Sequence, residues 1–473
     1  MSLFILSVIL LILGYVIYGA IVEKVFGADN NRKTPAIRYA DGVDFVKMPI
    51  WKIFLIQFLN IAGLGPVFGA VLGAAYGPAC FLWIVLGSIF AGGVHDYLTG
   101  MLSVRYKGKT MDYFIGKILS KHAKYFFVFF LVLILVLVGA VFAINPAKML
   151  ALIFKIPVIY FVVLIFGYYF LTTVLPVDKI IGRFYPFFAL LLLVVTVSLL
   201  VSLFRLDAEW FPITLTNLHP KNAPIFPLMF ITIACGALSG FHATQSPIMA
   251  RCLPNEKSGR LIFYGSMILE GLVALIWASL AMAFYTDKTA VGYVLFYPSK
   301  GQGAVIAELS NGLIGKVGSV FAILSVVVLS ITSGDTAFRS ARLTLAEAIH
   351  FDQKKLGKRF LLSAAVLLAG IAFTMFDITT LWYYFGWANQ TFAMFSLWAV
   401  SLYLKKKQRC YWVSLTPAIF MTAVCATYIL SDKNSFALNL NTAKIIAIIV
   451  TAIVTSIFFL KKYPKRNKTQ ERA

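Results

Sequence analysis

The sequence predicts an all-α polytopic membrane protein of about thirteen transmembrane helices, with a core of two inverted five-helix sets, its N-terminus outside and its C-terminus inside. Three observations predict it. The 473 residues are 60% hydrophobic and 13% charged, with a mean hydropathy of +0.86, which excludes a soluble domain. Apolar stretches near the ~20 residues that a bilayer requires recur along the chain. Two of those stretches are interrupted by glycine, proline and polar residues, and their starts lie five stretches apart.

The first stretch, 2–22, has no basic residue ahead of its apolar run and is read as an anchor, not a signal peptide. With its following loop it makes an N-terminal unit, 1–49. The first five-helix set, 50–204, holds spans 50–76, 79–104, 124–145, 157–176 and 184–204. An external linker, 205–224, leads to the second set, 225–404, with spans 225–249, 261–285, 316–335, 360–376 and 381–404. Spans 411–430 and 442–461 and a basic tail close the chain over 405–473. The segment 286–315 is expected to be a short external connection. Alternate loops on one side collect thirty-three of the 42 Lys and Arg, which fixes the orientation and accounts for the net charge of +23 without nucleic acid. The five cysteines show neither CxxC nor zinc-ligand spacing.

Span two carries Asn60-Ile-Ala-Gly-Leu-Gly-Pro-Val-Phe-Gly69, and Gly65, Gly69, Gly73 and Gly77 line one helical face that admits a close neighbour. Gly63 to Pro66 is a natural break, because Pro66 lacks an N–H and disfavours helical geometry before it. Broken backbone at membrane depth is tolerated where it is buried in protein or lines a cavity. Span seven carries a second break, with Ser239 to Gln245 expected to be unwound and Ser239, His242, Thr244 and Gln245 as its polar side chains. A solute carboxylate would meet free N–H groups of Val67, Phe68 and Gly69 at the start of the second half-helix, with Asn60 one turn before them. A side chain at Gly65 would then fill solute space. Two unrelated kinks are the plainer alternative.

Ionisable groups inside a span cost about 2.5–3.5 kcal/mol on insertion scales, so each needs a reason. Glu270 is either a structural hydrogen-bonding group or a proton carrier, and His242 in the second break is a proton carrier or solute ligand. His95 and Asp96 are sequence neighbours that point about 100° apart on a helix, so they are not a pair by themselves. Asp335 and Arg339 have the spacing of an intrahelical pair or gate. Ser330, Thr332 and Ser333 place hydroxyls where a sodium ion could be held, although back-bonding to the helix competes. Asn389 and Gln390 are interhelical glue. The aromatic runs Phe126–Phe130 and Tyr168–Phe170 read as lipid-facing belt. No cofactor is indicated.

These residues also resemble the carbon-starvation (CstA) family of bacterial inner-membrane transporters. The resemblance rests on Asn60–Gly69, Phe90–Asp96, Gly240–Pro247 with Met249–Arg251, Asn255–Lys257, Ile331–Asp335 with Arg339, and Phe385–Gln390. It implies a LeuT-like, amino acid–polyamine–organocation type fold and uptake of pyruvate or peptides during carbon limitation. Proton symport is the expected coupling and sodium the second, with a small solute and the bilayer as partners. A channel would want a symmetric filter, and an embedded enzyme a nucleophile–base or metal motif. The sequence shows neither.

Overall fold

The computed structural model describes residues 2–42, 45–118, 121–174, 177–205, 214–285, 290–296, 301–351, 356–376 and 378–461. Residues 206–213 of the expected linker, parts of the 286–315 connection and the basic tail from 462 lie outside them. Among the described residues every regular element is helical. Helix α1 spans Ser2–Phe26. The first broken span is α2 (Ile50–Ala62) and α3 (Gly65–Ala74), bent by 55°. Then come α4 (Ala79–Arg105), α5 (Lys121–Phe154), α6 (Val158–Val174) and α7 (Val177–Arg205). The second broken span is α8 (Ile225–Gly236) and α9 (His242–Ala250). The chain continues through α10 (Arg260–Phe284), α11 (Gly301–Ala348), α12 (Leu356–Phe373), α13 (Ile378–Lys406), α14 (Trp412–Ser431) and α15 (Leu440–Leu460).

Among the described residues, eight helices are long and apolar enough to cross a membrane, or nine with the bent pair as one span. The remaining expected stretches hold helices that are shorter, interrupted or more polar. The outer surface has the chemistry of a lipid contact: Val163, Leu164, Val194, Leu368 and Ile448 are each 62–65% exposed. Exposed apolar side chains on this scale mark a surface that meets lipid rather than water.

Two expectations are corrected here. The 286–315 connection is not merely a short loop, because helix begins at Gly301 and runs into the expected span nine, interrupted at Gly315 (φ 70°). That positive φ suits glycine alone, which is why the helix changes direction there. The aromatic runs are not uniformly lipid-facing either. Phe129 is 70% exposed, but Phe127 is buried against Phe392 and Phe395, and the fully buried Tyr169 donates to the Phe142 carbonyl at 3.1 Å. A phenol has a polar end to satisfy, so it turned inward to a carbonyl that the sequence pattern did not reveal.

The glycine face holds through Gly73, whereas Gly77 lies past the helix end at φ 74° and packs on Leu218. A Cβ on Gly69 would lie 2.6 Å from the Ile233 carbonyl, and one on Gly73 would lie 2.7 Å from the Ile233 side chain. Close backbone approach of α3 to α8 therefore brings the two broken spans together in the core.

Candidate functional site

Each break turns at one residue of positive φ. Gly63 (φ 49°, ψ −146°) ends α2, and Ala234 (φ 41°, ψ −114°) ends the regular part of α8. The backbone solution is nearly the same, but only the first uses glycine. The two breaks touch, since a Cβ on Gly65 would overlap the Cys235 Cβ. Gly65 therefore makes room for the other break rather than for solute, which corrects the expectation. Phe68 is corrected too: its N–H donates to the Leu64 carbonyl at 2.7 Å, so it is not a free donor. Val67 and Gly69 are buried beside it, with Gly69 against α8.

The second break also lies earlier than its polar residues suggested. Irregular backbone occupies Ala234–Phe241, and helix resumes at His242, so His242, Thr244 and Gln245 sit in the first turn of α9. Asn389 and Gln390 explain the shift. Asn389 Oδ1 accepts from the Ser239 hydroxyl (3.1 Å) and the Phe241 N–H (2.8 Å), and its own carbonyl accepts from the Gly240 N–H (3.2 Å). Gln390 Nε2 donates to the Leu238 carbonyl at 3.0 Å. These two amides replace the missing helical bonds, as glue between helices would.

The consequence is a buried acid–imidazole chain. Asp96 on α4 meets a ring nitrogen on each oxygen: His95 Nδ1 at 2.8 Å on Oδ1, and His242 Nδ1 at 2.8 Å on Oδ2. His242 Nε2 faces Glu270 Oε2 on α10 at 3.5 Å. All four side chains are fully buried. His95 and Asp96 are thus a pair after all, because side-chain rotation closes the gap that backbone direction opens. Neither Glu270 oxygen has a hydrogen-bond partner among the described residues, and His242 Nε2 is the ring nitrogen that faces it. A proton on Glu270 can pass to His242 Nε2 as the Nδ1 proton leans toward Asp96. With neutral imidazoles the two carboxylates carry two negative charges, and two added protons neutralise the chain. Low dielectric favours that neutral state, whereas access to water favours the charged one.

Asn60 stands on α2 with both amide atoms buried and without a hydrogen-bond partner, as are Gln245 Oε1 and Trp277 Nε1. Gln245 Nε2 meets Thr244 Oγ1 at 2.8 Å. The hydroxyl row on α11 divides. Thr332 Oγ1 bonds back to Leu329 (3.0 Å), and Ser330 Oγ donates to Phe142 (3.0 Å). Ser333 Oγ reaches the carbonyls of Leu59 (3.3 Å) and Asn60 (3.4 Å) at the open end of α2. The Asp335 oxygens accept from Thr172 (2.5 Å) and Tyr185 (2.8 Å), while Arg339 donates to the Thr172 carbonyl. Both residues are thus attached to Thr172 on α6.

Sequence reasoning missed a cavity of about 510 Å³ whose lining includes Phe68 and Trp382, with rings 6.1 Å apart. Tyr76, Lys148, His219 and Lys221 also line it. Burial and the neighbouring Lys221 push the His219 imidazole down to about 4, leaving it neutral near pH 7. The cations of this cavity are therefore the two lysines. Lys148 follows Asn145-Pro146 at a span end, and that pairing of a proline with a charge was the available signal. Among the described residues no group of three His, Cys, Asp or Glu is arranged to hold a metal ion.

Comparisons with known proteins fit this geometry. The family model for Carbon starvation protein CstA matches residues 1–153, 143–300 and 297–428. The chain is 44% identical over 342 residues to an uncharacterized membrane protein of Haemophilus influenzae, covering 61% of this chain and 92% of that protein. It is 26% identical over 550 residues to the peptide transporter CstA of Escherichia coli, covering 88% of this chain and 78% of that protein. It is also 28% identical over 323 residues to the Escherichia coli pyruvate/proton symporter BtsT, covering 54% of this chain and 45% of the symporter. A mutant form of a manganese transporter of Eremococcus coleocola superposes with a TM-score of 0.56 at 13% identity over 89% of this chain and 97% of its own, which shows the fold alone. Among these, the named functions are those of transporters, and none is an enzyme. On the family match over most of its length, this multi-pass membrane chain belongs to the carbon starvation protein CstA family.

Proposed function

We propose that this membrane transporter imports small carboxylates, pyruvate or short peptides, together with protons, by alternating access around the two breaks. The observation that carries the reading is the buried chain Glu270–His242–Asp96–His95, one member of which rides on the second half of a broken helix. Loading protons neutralises the chain and lets the site close away from water. The solute's carboxylate passes the lysines of the 510 Å³ cavity and reaches Asn60 and the turn at Gly63 once Phe68 and Trp382 move apart. Of the expected backbone donors, Val67 and Gly69 remain in this reading, and Phe68 becomes the gate.

The thirteen spans, the outside N-terminus and the inversion relating 50–204 to 225–404 belong to the same proposal. The near-identical turns at Gly63 and Ala234 support it. So does the cavity, whose lining from Tyr76, Lys148, His219 and Trp382 comes from segment ends assigned to one side. The units 1–49, 205–224 and 405–473 then serve as anchor, linker and closing pair. Sodium coupling is the second reading, favoured by Ser333 and the carbonyls of Leu59 and Asn60, three oxygens at one helix end.

Purified protein in liposomes tests both. Labelled pyruvate and dialanine are offered under an inward pH gradient, an inward sodium gradient, or neither. The proposal expects accumulation with the pH gradient, collapse with a protonophore and mutual competition. Accumulation that follows sodium at equal pH and ignores the protonophore transfers coupling to the Ser333 site. No accumulation of either solute under either gradient overturns the carboxylate reading.

A further inference from the structure

A second cavity, of about 970 Å³, lies at the loop end of the molecule where α1, α4 and α13 finish, far along α4 from Asp96. Its lining carries seven cations against one carboxylate, Asp29. The nearest other acid, Glu256, is buried and already committed. It takes Arg105 on both oxygens (2.6 and 2.8 Å) and the Asp29 N–H (2.9 Å), with Arg32 at 4.0 Å. Among the described residues, cations in the lining therefore outnumber the carboxylates in and beside it.

Topology alone asks for cations on this side, but not for their convergence on one hollow. Two of them are held in place. Arg105 donates to the Gly27 carbonyl (2.8 Å) and Arg409 to the Val25 carbonyl (2.8 Å), both at the open end of α1. Gly27 has a φ of 70° and no Cβ, and a Cβ there would overlap the Arg409 guanidinium. The fork of Arg409 can lie against backbone only because that position is glycine. Arg38 and Lys107 are both carried by the Tyr39 ring, at 5.8 Å each, and Lys407 by Tyr403 at 6.0 Å. Like charges gathered around one hollow repel, and an anion of matching shape removes that cost. Guanidinium forks favour tetrahedral oxyanions over chloride.

We infer that this cavity is a binding site for a phosphate-bearing anion, either an anionic lipid headgroup or a soluble phosphate compound, and that it is separate from the transport path. Bound there, the anion joins the ends of α1, α4 and α13.

The test is thermal unfolding of the purified full-length chain. The probes are inorganic pyrophosphate and dioctanoyl phosphatidylglycerol, with sodium chloride at matched ionic strength and dioctanoyl phosphatidylcholine as controls. The expected result is a rise in midpoint of about 2 °C or more with one phosphate probe and not with its control. That rise should disappear in the triple variant Arg38→Gln/Lys107→Gln/Lys407→Gln, each protein being compared with its own unliganded midpoint. Should the triple variant fail to purify, Arg38→Gln alone must reduce the shift. A response to phosphatidylglycerol assigns the lipid source, and a response to pyrophosphate the soluble one. Equal shifts from probe and control, equal shifts in wild type and variant, or no shift at all overturn the site.

Discussion

The two breaks share a turn and differ in everything around it. At Gly63 the turn falls on glycine, Ser333 donates to the carbonyls of Leu59 and Asn60 before it, and the Asn60 side chain has no hydrogen-bond partner. At Ala234 the turn falls on a residue with a Cβ, in a region of backbone space that costs of order 1–3 kcal/mol, and Asn389 and Gln390 satisfy the irregular backbone that follows. The first break is relaxed in backbone and leaves the Asn60 amide open, whereas the second is strained and closed. A closed break fixes what it carries, here His242 against Asp96. An open one leaves donors and acceptors for something else. In the proposed function this difference is what places solute at the first break and protons at the second.

The largest expected effect tests whether the first turn requires glycine. In Gly63→Ala the new Cβ would sit 2.7 Å from the Phe142 ring at a φ of 49°. Overpacking and strain together cost about 2–4 kcal/mol. Loss of folded protein from the membrane fraction is expected, and Phe142→Leu in the same chain should restore part of it by relieving the clash alone. Normal yield of the single variant would show that the turn is not as drawn.

Next comes the cargo of the second break. His242→Gln keeps an amide beside Asp96 but cannot pass a proton to or from Glu270. A positioned acid–base group typically contributes about 10²-fold or more, so proton-driven uptake should fall about 10²-fold with expression unchanged. Uptake at the wild-type rate with wild-type pH dependence would remove the acid–imidazole chain from the mechanism.

The contrast itself is sharpened by two asparagines. Asn60→Ala should raise KM about tenfold and leave the midpoint of unfolding nearly unchanged, because no internal bond is lost. Asn389→Ala should do the reverse, lowering stability by about 2 kcal/mol as buried groups in the second break lose their partner. Matching profiles for the two variants would dissolve the distinction between an open and a closed break.

Much of this contrast was legible in the sequence, and the remainder was not for identifiable reasons. Glycine spacing and Pro66 located the first break, since both act through local backbone geometry. The second was displaced by several residues because Ser239, His242, Thr244 and Gln245 look like the polar lining of an unwound segment. Their helix in fact resumes at His242, once Asn389 has taken up the Ser239 hydroxyl and the Phe241 N–H from 148 or more residues away. Long-range satisfaction of that kind leaves no periodic trace. The link from Asp96 to His242 spans 146 residues and is equally invisible. At Asp335 the local spacing to Arg339 gave no sign of the distant hydroxyls of Thr172 and Tyr185 from which its carboxylate also accepts.

The smallest effect is the most specific to the second turn. Ala234 holds φ 41° and ψ −114°, where a Cβ crowds its own backbone. Ala234→Gly removes that strain, of order 1–3 kcal/mol, and returns part of it through the extra freedom of glycine in the unfolded chain, about 0.4–1 kcal/mol. The small buried methyl is lost as well, which takes away roughly 0.8 kcal/mol. At the middle of these ranges the balance favours the variant by about 0.5 kcal/mol, a sign opposite to that of nearly every helix alanine-to-glycine change. Thermal unfolding of the purified variant beside wild type reads it directly. A higher midpoint, with Gly63→Ala behaving in the opposite sense, would establish that the two breaks make one turn with two degrees of strain. A midpoint lower by the usual helical penalty would mean that Ala234 sits in ordinary helix, and the likeness between the breaks would fall with it.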